Sequence, residues 1–403
     1  MKRVWGRGRK RVQCGARAKR HACGVQTAWT SAESPEAAVS ELARLIDREN
    51  LGQLLVFFSQ RYAAEPLCAA FAQQFDGLPI AGCSTAGEIT PAGFGDGSVL
   101  VVAFPRNDFN FVSEIIPDVR GLTVERGTEA VRSLRAGLDR LGGGRYANRF
   151  AVSLIDGLSN GEEVIVSAIG WALDDIPLVG GSAGDGLALT GTSLLHDGNV
   201  YHDAALLLLV ETNHPVCSFN HDHFEPTGTK LVVTASDAES RTVFELNAEP
   251  AALEYANAVG VEPSSLAPMS FAAHPVIVRI GGDYYCRSIQ RVNPDNSLSF
   301  FCAIDDGVVL TVAEPKDMVK SMAAELERLD AAIGGVDLVL GFECVLRRLD
   351  AENRQVKHMI SDLYRRYNVA GFHTYGEQFN AMHLNQTFTG VAIGHQRNGA
   401  LGT

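Results

Sequence analysis

No CxxC pair occurs among the eight cysteines of this 403-residue sequence, which stand at positions 14, 23, 68, 83, 217, 286, 302 and 344. That absence excludes a zinc ribbon, a thioredoxin-type redox pair and covalent haem attachment. Scattered cysteines in a chain with no secretion signal fit buried thiols, and the expected location is the cytoplasm. Long apolar runs are also missing. The longest, Ala204 to Val210 (AALLLLV), is far short of the roughly 20 residues a membrane-spanning helix needs, so no membrane span is expected. Acidic residues are absent from the first 24 positions, which hold nine of the 35 Lys and Arg residues. All 47 acids therefore fall in the rest of the chain, and the net charge is −12. Such an acidic body argues against broad nucleic-acid binding, which needs clustered cations. Residues 1–24 read as a basic, disordered and dispensable tail.

What is present is a pattern that recurs three times: strand, helix, strand, a Gly-rich turn ending in an acid, and a later apolar strand. The first copy runs through QLLVFF (Gln53–Phe58), PIAGCSTAGE (Pro79–Glu88) and SVLVVAF (Ser98–Phe104). The second has RFAVSLIDG (Arg149–Gly157), IPLVGGSAGDG (Ile176–Gly186) and AALLLLV; the third has VDLVLGFEC (Val336–Cys344), NVAGFHTYGE (Asn368–Glu377) and TFTGVAIG (Thr387–Gly394). Strands alternating with helices predict a mixed α/β (α+β) fold of layered sheets and helices. One helix is expected over Ala351–Tyr367, with Val356, Met359, Ile360, Leu363 and Tyr367 on its apolar face. Between the second and third copies, KLVVT (Lys230–Thr234), PVIVRI (Pro275–Ile280), SLSFFCA (Ser297–Ala303) and GVVLTVA (Gly307–Ala313) read as strands in hairpin order. A helix over Glu249–Val259 would be capped by Asn247. Two domains follow, 25–245 and 246–395.

The Gly turns match neither a phosphate-binding loop nor a dinucleotide fingerprint. They read as turns that need φ > 0 near Gly82 and Gly181, with Glu88 capping nearby amides. A functional alternative brings Ser84, Thr85, Glu88, Asp185 and Glu377 to one rim around a polar ligand. Cys83 as the nucleophile of a hydrolase lacks a partner His or Asn nearby in sequence. Arg279 and Arg287, beside the GGD turn, are candidate partners for carboxylates. Among eleven histidines, His202, His221, His223, His373 and His383 stand where a buried imidazole fits. His221 and His223 would share one side of an extended segment, though zinc needs ligands the sequence does not supply.

Several of these motifs carry a family resemblance. GCSTAGEI, DGLSNGEE (Asp156–Glu163), PLVGGSAGDG, LLHDGNVYHDAALLLL and GFHTYGEQFNAMHLNQTFTGVAIG resemble the FIST N-terminal and C-terminal domains in order, across about residues 25–395. HFEPT (His223–Thr227) and YGEQ (Tyr375–Gln378) resemble the nitric-oxide-sensing subgroup. That resemblance implies haem b, detection of nitric oxide, and control of a sensor histidine kinase or a diguanylate cyclase or phosphodiesterase in biofilm signalling, with a homo-oligomer left open. It implies no catalytic residues. His223 is the first candidate for metal ligand, followed by His221, His383, His373 and His202, with Arg279 and Arg287 for the propionates. The alternatives are a FIST sensory protein for small amino-acid-like ligands without haem, and a hydrolase-type enzyme.

Overall fold

The computed structural model describes residues 15–395 apart from 143 and 145. The chain opens with β1 (Arg17–Arg20), β2 (Gln26–Thr30), α1 (Pro35–Leu45), β3 (Leu51–Ser59), α2 (Ala64–Gln74) and β4 (Ile80–Thr85). A small hairpin of β5 (Glu88–Thr90) and β6 (Gly93–Phe94) follows, and β7 (Val99–Pro105) closes the unit. The order then repeats: β8 (Phe109–Pro117), α3 (Val124–Arg140), β9 (Asn148–Ile155), α4 (Glu162–Leu173), β10 (Leu178–Ser182), the hairpin β11 (Leu194–His196) and β12 (Asn199–Tyr201), and β13 (Ala204–Thr212).

A third unit begins with β14 (Val216–His221) and is interrupted by a separate module. The module comprises β15 (Phe224–Asp237), β16 (Thr242–Leu246), β17 (Glu249–Pro250), α5 (Ala251–Val259), α6 (Pro268–Ala273), β18 (Val276–Ile280), β19 (Asp283–Arg287), β20 (Ile289–Val292), β21 (Leu298–Phe300) and β22 (Val309–Pro315). The unit resumes with α7 (Met318–Ile333), β23 (Val336–Cys344), α8 (Val345–Asn353), α9 (Lys357–Arg366), β24 (Val369–Thr374), the hairpin β25 (Glu377–Phe379) and β26 (Met382–Leu384), and β27 (Phe388–Gly394).

Each unit builds the same four-strand core sheet: β2-β7-β3-β4, β8-β13-β9-β10 and β14-β27-β23-β24. In each the last two strands of that order, joined through helix, run parallel, as β3 with β4, β9 with β10 and β23 with β24. The hairpins, however, are exchanged cyclically. The first unit's β5 pairs with β24 of the third, the third unit's β25 pairs with β10 of the second, and the second unit's β11 pairs with β4 of the first. The molecule is thus a pseudo-threefold arrangement in which every unit completes a neighbour's sheet.

This arrangement explains why AALLLLV has no polar face. Leu206, Leu208 and Val210 point into a central core shared by all three sheets, beside Phe57, Phe342 and Phe372. Ala205, Leu207 and Leu209 pack outward against α3 and α4. Strands buried on both faces read as continuous apolar runs, not as alternation. The module carries its own core around Leu231, Tyr255, Phe271, Leu298 and Leu310.

Several expectations change. The proposed boundary at 245/246 falls inside the module, at the end of β16. Strands on both sides of it share sheets, so the three-dimensional units are interleaved. The helix expected over 351–367 is two helices, α8 and α9, because Gln355 takes a left-handed φ of 60° between them. Met359 is consequently exposed instead of facing the core. Asn247 does not cap α5; its side chain binds Val232 N and Glu254.

Nor is all of 1–24 a tail. Residues 1–14 lie outside the described residues, but β1 pairs with β2, and His21 and Cys23 are buried. Cys23 N donates to Asp337 Oδ2 at 2.5 Å, and Lys19 bonds Asn368, so this segment ties the first unit to the third. Deleting residues 1–24 is therefore expected to cost about 2 kcal/mol or more, the order of burying one apolar side chain together with a buried hydrogen bond. Urea denaturation of the truncated and full chains checks this; coincident curves would return the segment to tail status.

Candidate functional site

The three Gly turns meet at one end of the pseudo-threefold axis, beyond the carboxyl ends of the parallel strands. Ligand sites in α/β sheets form at that end. The turns bond in a ring: Ala86 N donates to His373 O, Tyr375 N to Ser182 O, and Gly184 N to Ser84 O. The acids of two turns act as staples. Glu88 accepts from Thr85 Oγ1 and from Ser98 N and Oγ; Glu377 accepts in the same way from Thr374 Oγ1 and from Thr387 N and Oγ1. Both carboxyls are fully buried, and burial pushes their pKa values up, that of Glu377 to about 8.

Because the unfolded Glu377 ionises near 4.3, the folded protein holds a proton the unfolded chain lacks between about pH 4.3 and 8. Its contribution to stability is intact below that window and declines as pH rises through it, by at most about 1.4 kcal/mol per pH unit. Glu377→Gln should flatten this dependence and be more stable than the wild type at pH 8. Denaturation series from pH 5 to 8 on both proteins measure the difference; parallel profiles would contradict it.

The third acid, Asp185, is used differently. It accepts from the amides of Leu189, Thr190 and Gly191, from Thr190 Oγ1 at 2.9 Å, and from the Tyr375 hydroxyl of the third unit. Burial opposes its ionisation, but the Tyr375 hydroxyl and the Thr190 and Gly191 amides outweigh it and bring the pKa down to about 2. Asp185 is a fixed anion at the edge of a cleft of about 560 Å³. The same cleft is lined by Val345, Arg348, Leu349 and Glu352 of α8; the ends of β3 and β4 add Ser59, Gln60, Arg61 and Thr85 to Gly87. Arg348 donates to Ala86 O and pairs with Asp96 and Glu352. Gly87 has φ +131°, and a Cβ on it would stand 1.9 Å from Arg348 Nη1, so only glycine lets the guanidinium lie there.

Of the rim residues suggested by the sequence, Thr85 and Asp185 line this cleft. Glu88 and Glu377 are enclosed in their own turns, and Ser84 Oγ accepts from Ser193 N. Gly82 and Gly181 are not in the left-handed region; they lie in extended strands where another chain segment approaches their Cα. Cys83 sits in the central core, where burial drives its thiol pKa far up. Arg348, Gln60, Arg61, Asp96 and Glu352 also line the cleft, outside the motifs that mark the turns. For two of them the signal is positional: Gln60 and Arg61 directly follow β3.

The histidines and arginines do not converge. His223 is fully buried against α8: Arg347 Nη1 donates to its Nδ1 at 2.6 Å, and its Nε2 bonds Asp350 Oδ2 at 3.3 Å. Arginine can only donate, so Nδ1 is the acceptor and Nε2 carries the proton. Burial and the Arg347 charge lower its pKa to about 4, against the pull of Asp350. His221 bonds Ser321 of α7, and His202 is exposed and bonds Thr192 O. His383 is buried without a hydrogen-bond partner on either ring nitrogen, His373 is buried with its Nδ1 3.5 Å from Glu343 Oε2, and burial lowers both pKa values. Arg287 donates to His383 O, whereas Arg279 is exposed near the far end of the β18–β19 hairpin and bonds Gly282 O. No group of three or more His, Cys, Asp and Glu side chains suited to a metal ion occurs among the described residues.

The FIST N domain model matches residues 53–249 and the FIST C domain model residues 251–380, together most of the chain. This is a FIST-domain protein. FIST domains are sensory domains of signal transduction. No curated protein matches the sequence. The two family models meet within the inserted module, so the FIST N and FIST C segments are interleaved partners in the three-unit body. No helix among the described residues is long and apolar enough to cross a membrane.

Proposed function

We propose that this FIST protein is a non-catalytic sensor that takes a small zwitterionic, amino-acid-like molecule into the cleft between Asp185 and Arg348. The observation that carries the reading is that one 560 Å³ cleft is lined by both the Asp185 carboxylate and the Arg348 guanidinium. The Asp185 charge would attract an ammonium group even though its oxygens already accept from the chain, and the Arg348 guanidinium would exchange the exposed Asp96 for the carboxylate of the ligand. Ala86, Val345, Leu187 and Leu349 supply apolar wall for a side chain. Such a mixture of apolar lining and a few placed charges is typical of small-molecule sites. Binding would favour one arrangement of the cleft walls, and a separate output protein, a histidine kinase or cyclic-di-GMP enzyme as the resemblance implies, would read the difference.

The haem reading draws less support. The cleft has five charged side chains and no histidine. His223 has both ring nitrogens engaged, His373 Nδ1 lies 3.5 Å from Glu343 Oε2, and the rings of His373 and His383 lie in close packing: a Cβ on Gly87 would stand 3.2 Å from His373 Cδ2, and one on Gly376 would stand 2.2 Å from His383 Cε1. As arranged, these residues do not fit a haem.

A thermal-shift panel of amino acids and related zwitterions, run beside reconstitution with haem, separates the readings. A dose-dependent rise in Tm by at least one zwitterion, lost in Asp185→Asn, is expected. No shift with any of them, together with a Soret band after haem addition, would replace this proposal with haem sensing.

A further inference from the structure

The helix that walls the cleft also grips the root of the inserted module. Val345, Arg348, Leu349 and Glu352 of α8 face the cleft. Arg347 and Asp350, on another side of the same helix, clamp His223 from both ring nitrogens. His223 immediately precedes β15, where the chain leaves the third unit for the module, and its carbonyl accepts from Lys316 N at 2.7 Å, where the chain returns. Phe224 pairs with Pro315 in the next register position, so both crossing strands are stitched at one place. All three clamp side chains are 0–1% exposed. The clamp is specific in both charge and hydrogen: the Asp350 carboxylate also accepts from Arg354, and Arg347 Nε donates to Glu343.

Burying charges this way stabilises little on balance, and an apolar contact would hold the strands as firmly. What the arrangement adds is directional linkage. A rotation or shift of α8 that repositions Arg348 moves Arg347 and Asp350 with it, since one helical turn carries all three. We infer that α8 and the Arg347–His223–Asp350 clamp transmit occupancy of the cleft to the inserted module, making the module the part whose position or dynamics reports ligand. The inference rests on the reading that the cleft takes a ligand, but it is testable without knowing which one.

The cleft can be filled covalently through Leu187→Cys, since Leu187 lines it and is 56% exposed. The background carries Cys14→Ser and Cys217→Ser; the other six native cysteines are buried. The full chain is labelled with benzyl maleimide, stoichiometry is checked by mass, and amide exchange is read over 224–237 and 309–315. Labelling should change exchange there by about threefold or more, and the change should vanish in Asp350→Ala, which removes one jaw. His223→Gln, which keeps an acceptor for Arg347 and a donor for Asp350, should retain it. Exchange that responds only around the cleft, or a module response equally large in Asp350→Ala, would overturn the inference. If Asp350→Ala does not fold, Asp350→Leu, which is close in volume and has no acceptor for His223, replaces it and is judged by the same two outcomes. Because the label replaces the ligand, failure of the zwitterion panel would leave this test standing.

Discussion

Gly82→Val should leave little or no soluble protein. Gly82 lies in β4 opposite Val56 of β3, and a Cβ placed on it would stand 2.0 Å from the Val56 carbonyl oxygen. That contact is with backbone in the middle of a parallel pair, so no side-chain rotation relieves it. The strands must part, and the central core beneath them is closely packed. A cost of about 3 kcal/mol or more is expected, at the upper end for overpacking. Gly228→Ala is the control: nothing lies within 4 Å of its Cβ and its φ is not positive, so its denaturation midpoint should be nearly unchanged. Gly82→Val with wild-type yield and midpoint would show that the strand pair is looser than described.

Arg347→Ala should destabilise by about 3–5 kcal/mol, the range for removing one partner of a buried charge network. Arg347 is fully buried and bonds both Glu343 and His223. Its loss leaves the Glu343 carboxyl, already raised in pKa by burial and now without its cation, and removes the donor that fixes the His223 tautomer. The Glu343 carboxyl would then hold its proton to higher pH, so the defect should be larger at pH 8 than at pH 5. Chemical denaturation at those two pH values measures both size and trend. A loss under about 1 kcal/mol would mean that water replaces the guanidinium and that the network is not closed.

The three-copy pattern was legible because parallel strands buried on both faces are continuous apolar runs, and QLLVFF, RFAVSLIDG and VDLVLGFEC all have that form. The exchange of hairpins was not. Glu88–Thr90 and Glu377–Phe379 are three residues long, too short to show alternation, and their partners lie far away in sequence or in another unit. The turn glycines were recognised but for the wrong reason: Gly82 and Gly181 serve close approach, and only Gly87 of GCSTAGE needs positive φ. For the site, Asp185 was visible as the acid ending a Gly turn, whereas Arg348 was not, since an arginine in VLRRLD looks like any solvated helix face. His223 is buried, as its sequence context suggested along with four other histidines. Its clamp by residues more than 120 positions away could not be read from spacing.

The most direct test of the ligand cleft is calorimetric titration of the wild type, Asp185→Asn and Arg348→Met with the zwitterion that raises Tm most. Each variant removes one charge and should lower affinity by about tenfold or more, the effect of one charge-assisted contact. The account predicts both losses, with circular dichroism of the variants unchanged. Wild-type affinity in both variants would contradict it.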